Sequence, residues 1–333
     1  MDKVLLYGIG NDGKCILEGM NGIEEELGIK IIALIDKVKM DCVFGYPVYQ
    51  PDKIGELPYD YILVSTEKYY LQIRKELEET FSVSPEKITL WNQRILGRGK
   101  ERYYCNICKN KLPLMLKYDS RDLNFSAGKV VERGERKASR CPFCNSLHRN
   151  RWVWYVMEHH TDIFDKGQRI LHFAPERGIE SEIRKLDCGQ YITVDLEPGR
   201  ADMVMDITNI TFPDNTFDYI ICNHVLEHIK QETQALSELR RCLKDDGRII
   251  FSVPVCLGQD TIEEENTDTP EKRLLMYGQE DHVRLYGNDI QERLLKNGFR
   301  AVPYMVSNYL PAKDIHQMGL IPEDIVWILE KDI

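Results

Sequence analysis

RILHFAPERGIESEIRKLDCGQYITVDLEPGRADMVMD, residues 169–206, is the stretch whose reading decides the fold. Apolar Ile170, Leu171 and Phe173 predict a short buried strand, with Gly178 in the turn that follows and a helix after it. Tyr191-Ile-Thr-Val predicts a second strand that ends on Asp195 and Leu196, and Met203-Val-Met a third that ends on Asp206 and Ile207. This is half of a nucleotide-binding α/β unit. An acid at the end of the second strand is placed to accept hydrogen bonds from both hydroxyls of a ribose, and Asp206 stands where a third strand delivers an acceptor to an adenine amino group.

Two further segments narrow the nucleotide. FPDNTFDYIICNHVLEHI (Phe212 to Ile229) and LRRCLKDDGRIIFSVPV (Leu239 to Val255) resemble class I S-adenosylmethionine-dependent methyltransferases, over roughly the last half of the chain. The resemblance implies a cofactor site formed by His172, Ala174, Glu176, Gly178, Asp195, Leu196, Asp206, Ile207 and Asn223. The first motif departs from the family pattern of an acid and several glycines: it reads His172-Phe-Ala-Pro-Glu176-Arg-Gly178, with a single glycine. One expectation is a different backbone turn with Glu176 facing the methionine ammonium group; the other is a site that no longer binds cofactor. Asp195 and Asp206 both stand where a working site needs them, which favours the first.

The resemblance also places the acceptor. In such a fold the end of the fourth strand, Tyr219 to Cys222, faces the methyl group, so Asn223 and His224 are expected to touch the acceptor. His228 lies one helical turn further on. His224, with His282 and Tyr286 from a later insertion, is the expected source of acceptor contacts or a general base. The blander expectation for His228 is that it caps or packs its own helix. A metal on His224 and His228 lacks an evident third ligand, and the His-Glu-x-x-His order of zinc peptidases is absent.

Composition sets the frame. With 333 residues, 43% hydrophobic and 29% charged, the chain is expected to be globular and to hold two or three domains. No run approaches the ~18 apolar residues of a membrane helix. Met1-Asp-Lys leads into a strand rather than a signal sequence, so the expected localisation is cytoplasmic and the ten cysteines favour metal or free thiols over disulfides. The net charge of −10 hides an asymmetry: residues 98–151 carry 14 Lys/Arg against five Asp/Glu, a balance of +9 that leaves −19 elsewhere. Such a segment suits a phosphate-bearing partner or a solvated face equally well.

Residues 1–97 are expected as a first, Rossmann-like domain. Gly8-x-Gly10-x-x-Gly13 follows an apolar strand and precedes a helix, and Ile31-Ile-Ala-Leu-Ile ends on Asp36. Glycines there let the backbone turn tightly and approach a pyrophosphate at a helix N-terminus. With GYPVYQPDKI ahead of YDYILVST, the pattern resembles the nucleotide-binding domain attached to bacterial sugar acyltransferases, which implies a nucleotide-sugar type of ligand. No hydride-transfer residue set accompanies it, and a purely structural or substrate-recruiting role is the main alternative.

Residues 98–150 are expected as a small zinc-ribbon-like module. Cys105-Asn-Ile-Cys108 and Cys141-Pro-Phe-Cys144, with 32 residues between the pairs, let four thiolates converge on one structural zinc. KVVERGERKASR, turning at Gly134, reads as a β-hairpin arm between the pairs. A redox dithiol would leave the second pair unexplained. Cys15, Cys42, Cys188, Cys222, Cys242 and Cys256 read as buried small residues.

Residues 151–333 are expected as the methyltransferase domain. A helix from Leu147 to His160 leads in and shields one side of the cofactor site, and LGQDTIEEENTDTPEKR reads as a mobile acidic insertion. The whole is an α/β protein of two Rossmann-like sheets joined by a zinc module. The expected activity is methylation of a sugar-linked or other small-metabolite acceptor, with the first domain holding the nucleotide end of the substrate. The alternatives are an RNA base methyltransferase, since some ribosomal RNA methyltransferases carry a four-cysteine module ahead of the same fold, and a catalytically silent binding protein. Nucleic acid is thus the lesser candidate partner, and nothing in the sequence specifies an oligomer.

Overall fold

The computed structural model describes residues 1–118, 129–130, 136–264 and 267–332. It divides into two compact units, the first built on Met1–Cys105 and the second on Cys144–Ile333, with shorter pieces of 106–143 assigned to each.

The first unit begins with β1 (Asp2–Tyr7), α1 (Asn11–Met20), α2 (Glu24–Leu27) and β2 (Ile29–Ile35), followed by β3 (Cys42–Val43), β4 (Tyr46–Tyr49), β5 (Tyr61–Val64), α3 (Tyr70–Glu79), β6 (Ile88–Leu90) and α4 (Trp91–Ile95). The six strands form one sheet in the order β3-β4-β2-β1-β5-β6, parallel except for the β3–β4 pair. Near-continuous apolar runs such as VLLY in β1 and YILV in β5 suit strands covered on both faces. Val4, Leu6, Leu34 and Leu63 pack on one side with α1, and Leu5, Tyr7, Ile35 and Val64 on the other with α3.

The glycine turn after β1 is built for close approach. A Cβ on Gly13 would lie 2.1 Å from the Gly8 carbonyl oxygen, and one on Gly8, which is at φ +91°, would lie 2.7 Å from the Ser65 hydroxyl. Those two glycines are required by the protein's own packing. Gly10 has open space around its missing side chain.

β7 (Tyr103–Tyr104) pairs with β8 (Lys111–Leu112), and β9 (Leu116–Tyr118) with β11 (Arg136–Arg140), while β10 (Lys129–Val130) pairs with β17 (Cys256–Leu257). The hairpin expected over KVVERGERKASR is thereby corrected: β10 and β11 each pair with a different strand. The expected turn at Gly134 lies outside the described residues.

The second unit opens with α5 (His148–His160), then β12 (Gln168–Phe173), α6 (Arg177–Ile183), β13 (Gly189–Asp195), β14 (Met203–Val204), β15 (Phe217–Asn223), α7 (Glu232–Cys242) and β16 (Leu243–Ser252). After β17 come α8 (Pro270–Tyr277), α9 (Ile290–Lys296), β18 (Phe299–Met305), α10 (Val306–Tyr309), α11 (Ala312–Gln317) and β19 (Ile325–Lys331). The seven-stranded order is β14-β13-β12-β15-β16-β19-β18; the first five strands are parallel, and β19 runs antiparallel to both β16 and β18. The strand order reverses between β12 and β15, and in open sheets of this kind ligands bind outside the carboxyl ends of the strands at such a reversal.

Three local expectations change. Gly178 is not in the turn after β12 but near the start of α6, where a Cβ would lie 3.1 Å from the Cys144 carbonyl oxygen. Cys42 is exposed and Cys15 half-buried, while the other four scattered cysteines are buried as expected. The acidic stretch is not a loose insertion in its described part. Ile262 bridges to Leu285, the Thr261 amide and hydroxyl both donate to Asp289, and Glu263 pairs with Arg284 and Arg293 at 2.7 and 2.9 Å. Among the described residues no helix is long and apolar enough to cross a membrane.

Candidate active site

Ala174, the first residue past β12, takes the place a glycine would hold. It sits in the left-handed region at φ +47°, with its amide donating to the Val194 carbonyl at 2.8 Å. The left-handed region costs a residue with a Cβ roughly 1–2 kcal/mol. A glycine-poor first motif therefore still makes the reversal, with strain stored at the strand end. His224, just past β15, is the second such residue, at φ +54°, its amide donating to the Ser252 carbonyl at 2.8 Å.

Glu176 is engaged from two sides. Its Oε2 lies 2.8 Å from His172 Nε2, and its Oε1 accepts from the Asn150 amide group at 3.2 Å. His172 is fully buried, with Nδ1 2.7 Å from the Tyr191 hydroxyl. Burial pushes the Glu176 carboxyl up, but the His172 hydrogen bond and charge, with a contribution from His224, more than reverse this, and the net direction is down. Asn150 was not singled out in the sequence; its signal was position, two residues into the helix that enters the unit.

Asp195 and Asp206 follow the second and third strands as expected. Each carboxylate uses Oδ1 to fix its own turn, Asp195 accepting from the Glu197 amide and Asp206 from the Thr208 amide and hydroxyl, all at 2.8 Å. Each Oδ2 forms no hydrogen bond among the described residues. Asp195 is half-buried, Asp206 and Leu196 are exposed, and Ile207 is buried in the core. Asn223 is buried; its Oδ1 accepts from the Ser252 hydroxyl at 3.0 Å, and its Nδ2 has no hydrogen-bond partner among the described residues. Ser252, another residue the sequence did not flag, ends β16 beside it.

Past β15, a 3-10 turn (Leu226–His228) carries Glu227 and His228. Glu227 is almost wholly buried, with Oε1 3.3 Å from His224 Nδ1. Burial raises its pKa, but the His224 hydrogen bond and the charges of His224, His228 and His282 outweigh that and lower it. His228 Nδ1 lies 3.2 Å from Asp281, and its ring meets that of buried His282 edge-on at 4.7 Å. Arg284, fully buried, donates to the carbonyl oxygens of Leu226 and Ile229 at 2.7 and 2.6 Å and of Lys230 at 3.2 Å. That clamp holds the turn against the segment bearing His282. Tyr286 is placed differently from the expectation. It is fully buried in the core and its hydroxyl donates to Glu232 at 2.7 Å, so its phenol is committed to packing.

The other expected sites lie elsewhere. Gly8, Gly10, Gly13 and Asp36 line a cavity of about 580 Å³ with Tyr7, Ser65, Thr66 and Glu76. Both oxygens of Asp36 accept backbone amides, from Ile9 at 2.7 Å and Val38 at 2.8 Å. The Tyr7 hydroxyl is buried without a hydrogen-bond partner among the described residues, and burial pushes its pKa up to about 12. Cys105, Cys108, Cys141 and Cys144 bring their sulfurs within 4.8 Å of one another, Cys105 and Cys141 being buried.

Comparison with known proteins adds two domain matches. Residues 176–251 match the family model described as a methyltransferase domain, Methyltransf_11, and residues 1–89 match C2185-like, N-terminal. An uncharacterized protein of Methanocaldococcus jannaschii is 46% identical over 48 residues, a match spanning 14% of this chain and 21% of that relative. Among solved structures, a SAM-dependent methyltransferase from Archaeoglobus fulgidus is 17% identical, covering 55% of this chain and 94% of its own, with a TM-score of 0.37. A 1,6-didemethyltoxoflavin-N1-methyltransferase from Burkholderia thailandensis is 16% identical, covering 56% and 79%, with a TM-score of 0.38.

The Glu176 geometry predicts a pH signature. Because its folded pKa lies below the usual 4.5, its contribution is fully present above that value and is lost as pH falls through the lowered one. Glu176→Gln should cost about 1.5–3 kcal/mol of unfolding free energy near neutral pH, the range for a hydrogen bond to a charged group. The gap between wild type and variant should narrow on acidification below about pH 4.5. Chemical denaturation across that range measures it; a gap independent of pH would show that Glu176 is not held ionised.

Proposed function

We propose that the second unit transfers a methyl group from S-adenosylmethionine to a small acceptor. The observation that carries this is the methyltransferase-domain match over 176–251, the span that delivers Glu176, Asp195, Asp206 and Asn223 to strand ends in the parallel part of one sheet. The residues fit the cofactor: Ala174, exposed and in the left-handed region, turns the chain at the strand end, Asp195 and Asp206 each keep a carboxylate oxygen in reserve, and the Asn223 amide is an orphaned buried donor. Bound there, the cofactor supplies an electrophilic methyl on a sulfonium, and a direct displacement asks the protein chiefly for alignment and exclusion of water.

In this reading Asp195 accepts from the ribose hydroxyls and Asp206 from the adenine amino group. Glu176, held ionised by His172, faces the methionine ammonium group. His224, steadied by Glu227, contacts the acceptor or takes its proton, and His228 and His282 stand behind it. Asp195→Ala should weaken binding of S-adenosylhomocysteine by roughly 1–3 kcal/mol in calorimetry, the cost of leaving polar partners unpaired. Unchanged affinity would remove Asp195 from the site, and wild-type protein that binds none would leave a silent fold.

The acceptor we propose is sugar-linked or a related small metabolite, and the protein's localisation cytoplasmic. Support comes from the first unit, whose glycine turn, open space at Gly10 and orphaned Tyr7 hydroxyl line a cavity suited to a nucleotide-type ligand. The net charge of −10 works against a polyanionic RNA acceptor. A thermal-shift survey of nucleotides and nucleotide sugars on the full chain should find at least one that stabilises it, with the shift lost in Gly10→Val. Failure of every ligand, or a shift that survives that substitution, would leave the glycine turn a purely structural one.

The four cysteines we assign to one structural zinc ion. Four sulfur donors leave no coordination position open, so the role is scaffolding. Elemental analysis of protein purified without chelator should find zinc, and the amount should fall by about one per chain in Cys105→Ser and Cys141→Ser. Metal-free, folded wild-type protein would refute the assignment.

A further inference from the structure

We propose that Glu227, His228 and His282 bind one divalent first-row transition-metal ion. Neither the domain matches nor the methyl-transfer reading requires it. The three side chains offer one ligand atom each, and those atoms lie within 4.8 Å of one another, although His282 stands 54 positions after His228 in the chain.

Burial makes the case. Glu227 is 1% exposed, and its Oε2 has no hydrogen-bond partner among the described residues. An ionised carboxylate withdrawn from water is costly unless its charge is balanced and its lone pairs are used. His224 reaches only Oε1, at 3.3 Å. A cation on the Oε2 side supplies the missing compensation, and imidazoles there are the donors such an ion prefers. Their near-perpendicular rings, 87° apart, do not stack; each can direct a nitrogen edge at a common point.

The donor set narrows the ion. Two imidazoles and one carboxylate suit zinc, manganese or ferrous iron rather than calcium or magnesium, which take oxygen ligands. Three protein ligands leave coordination positions open, unlike the four-cysteine group. Asp281, exposed and 3.2 Å from His228 Nδ1, is the outer carboxylate that fixes a ligating imidazole. The turn is pinned for this purpose, since Arg284 ties the carbonyl oxygens of Leu226 within it and of Ile229 and Lys230 just after it, and the Val283 amide donates to the Glu227 carbonyl at 2.8 Å.

The site adjoins His224 and follows the strand that carries Asn223. An open position there would take an oxygen of the acceptor, a hydroxyl or carboxylate, and hold it for methylation. This last step rests on the methyl-transfer reading; metal binding itself does not.

Manganese is the probe, because thiolate groups select softer ions and the cysteines then interfere least. Full-length protein, dialysed against chelator and then buffer and checked for folding by circular dichroism, is titrated with Mn2+ while electron paramagnetic resonance counts the free ion. No S-adenosylmethionine or acceptor is present, so the result is independent of the methyl-transfer reading. Wild type should bind about one equivalent, and Glu227→Gln and His282→Ala should each weaken binding by at least about ten-fold while staying folded. Because Glu227 is buried, His282→Ala and His228→Ala stand in if Glu227→Gln does not fold. Folded wild-type protein that binds no Mn2+, or histidine variants that bind it as wild type does, would overturn the proposal.

Discussion

Two carboxylates at the ends of adjacent parallel strands, Glu227 almost wholly buried and Glu176 partly so, set the terms for the rest of the second unit. Glu176 follows β12 and Glu227 follows β15, and each is held by a histidine close by in sequence, His172 or His224. Such groups persist only where compensating donors are built around them. The surroundings are arranged accordingly. α5 sends Asn150 to Glu176, the 3-10 turn sets Glu227 beside His224, and the segment after α8 returns to place His282 near Glu227. His224 helps to lower the pKa of both carboxylates, which stand at the ends of the two strands between which the order reverses.

Backbone strain marks the same edge. Ala174 and His224 are the residues immediately past the two central strands, and both adopt a conformation that residues with a Cβ avoid. A sheet with glycines there would be easier to fold. What the strain provides is direction: it turns the chain sharply at both strand ends and leaves His224 Nδ1 3.3 Å from Glu227. The first unit solves its equivalent turn the other way, with Gly8 and Gly13 placed where any side chain would collide with backbone or the Ser65 hydroxyl.

Much of this was legible in the sequence where the physics is local. Parallel strands covered on both faces must be apolar runs, so β1, β2, β5, β12, β13, β15 and β16 announce themselves, and the acids at their ends follow by counting. The paired cysteines carry their meaning in their spacing. What escaped depends on partners remote in the chain. Gly178 looked like a turn glycine because its true neighbour, the Cys144 backbone, is 34 positions earlier. The acidic stretch looked unable to pack because the arginines that neutralise Glu263 lie 21 and 30 positions later. Tyr286 looked like an available phenol because nothing nearby in sequence reveals Glu232. Glu227 itself sat inside the quoted motif, but burial is what distinguishes it, and a sequence does not print burial.

The Arg284 clamp bears on the order in which the molecule can be made. A chain folds from its N-terminus as it is synthesised, and by Ser252 all five parallel strands of the second sheet, with Asp195, Asp206, Glu176 and Asn223, have been made. Glu227 is then already present but unmatched, because His282 and Arg284 have yet to appear, as have β18 and β19, which close the sheet. On the ribosome the strand ends that carry Asp195 and Asp206 can therefore be assembled well before the histidine cluster. A nascent chain that pauses between these stages carries an unmatched Glu227 together with the uncovered apolar edge of β16, whose Ile249, Ile250 and Phe251 are paired only later by β19.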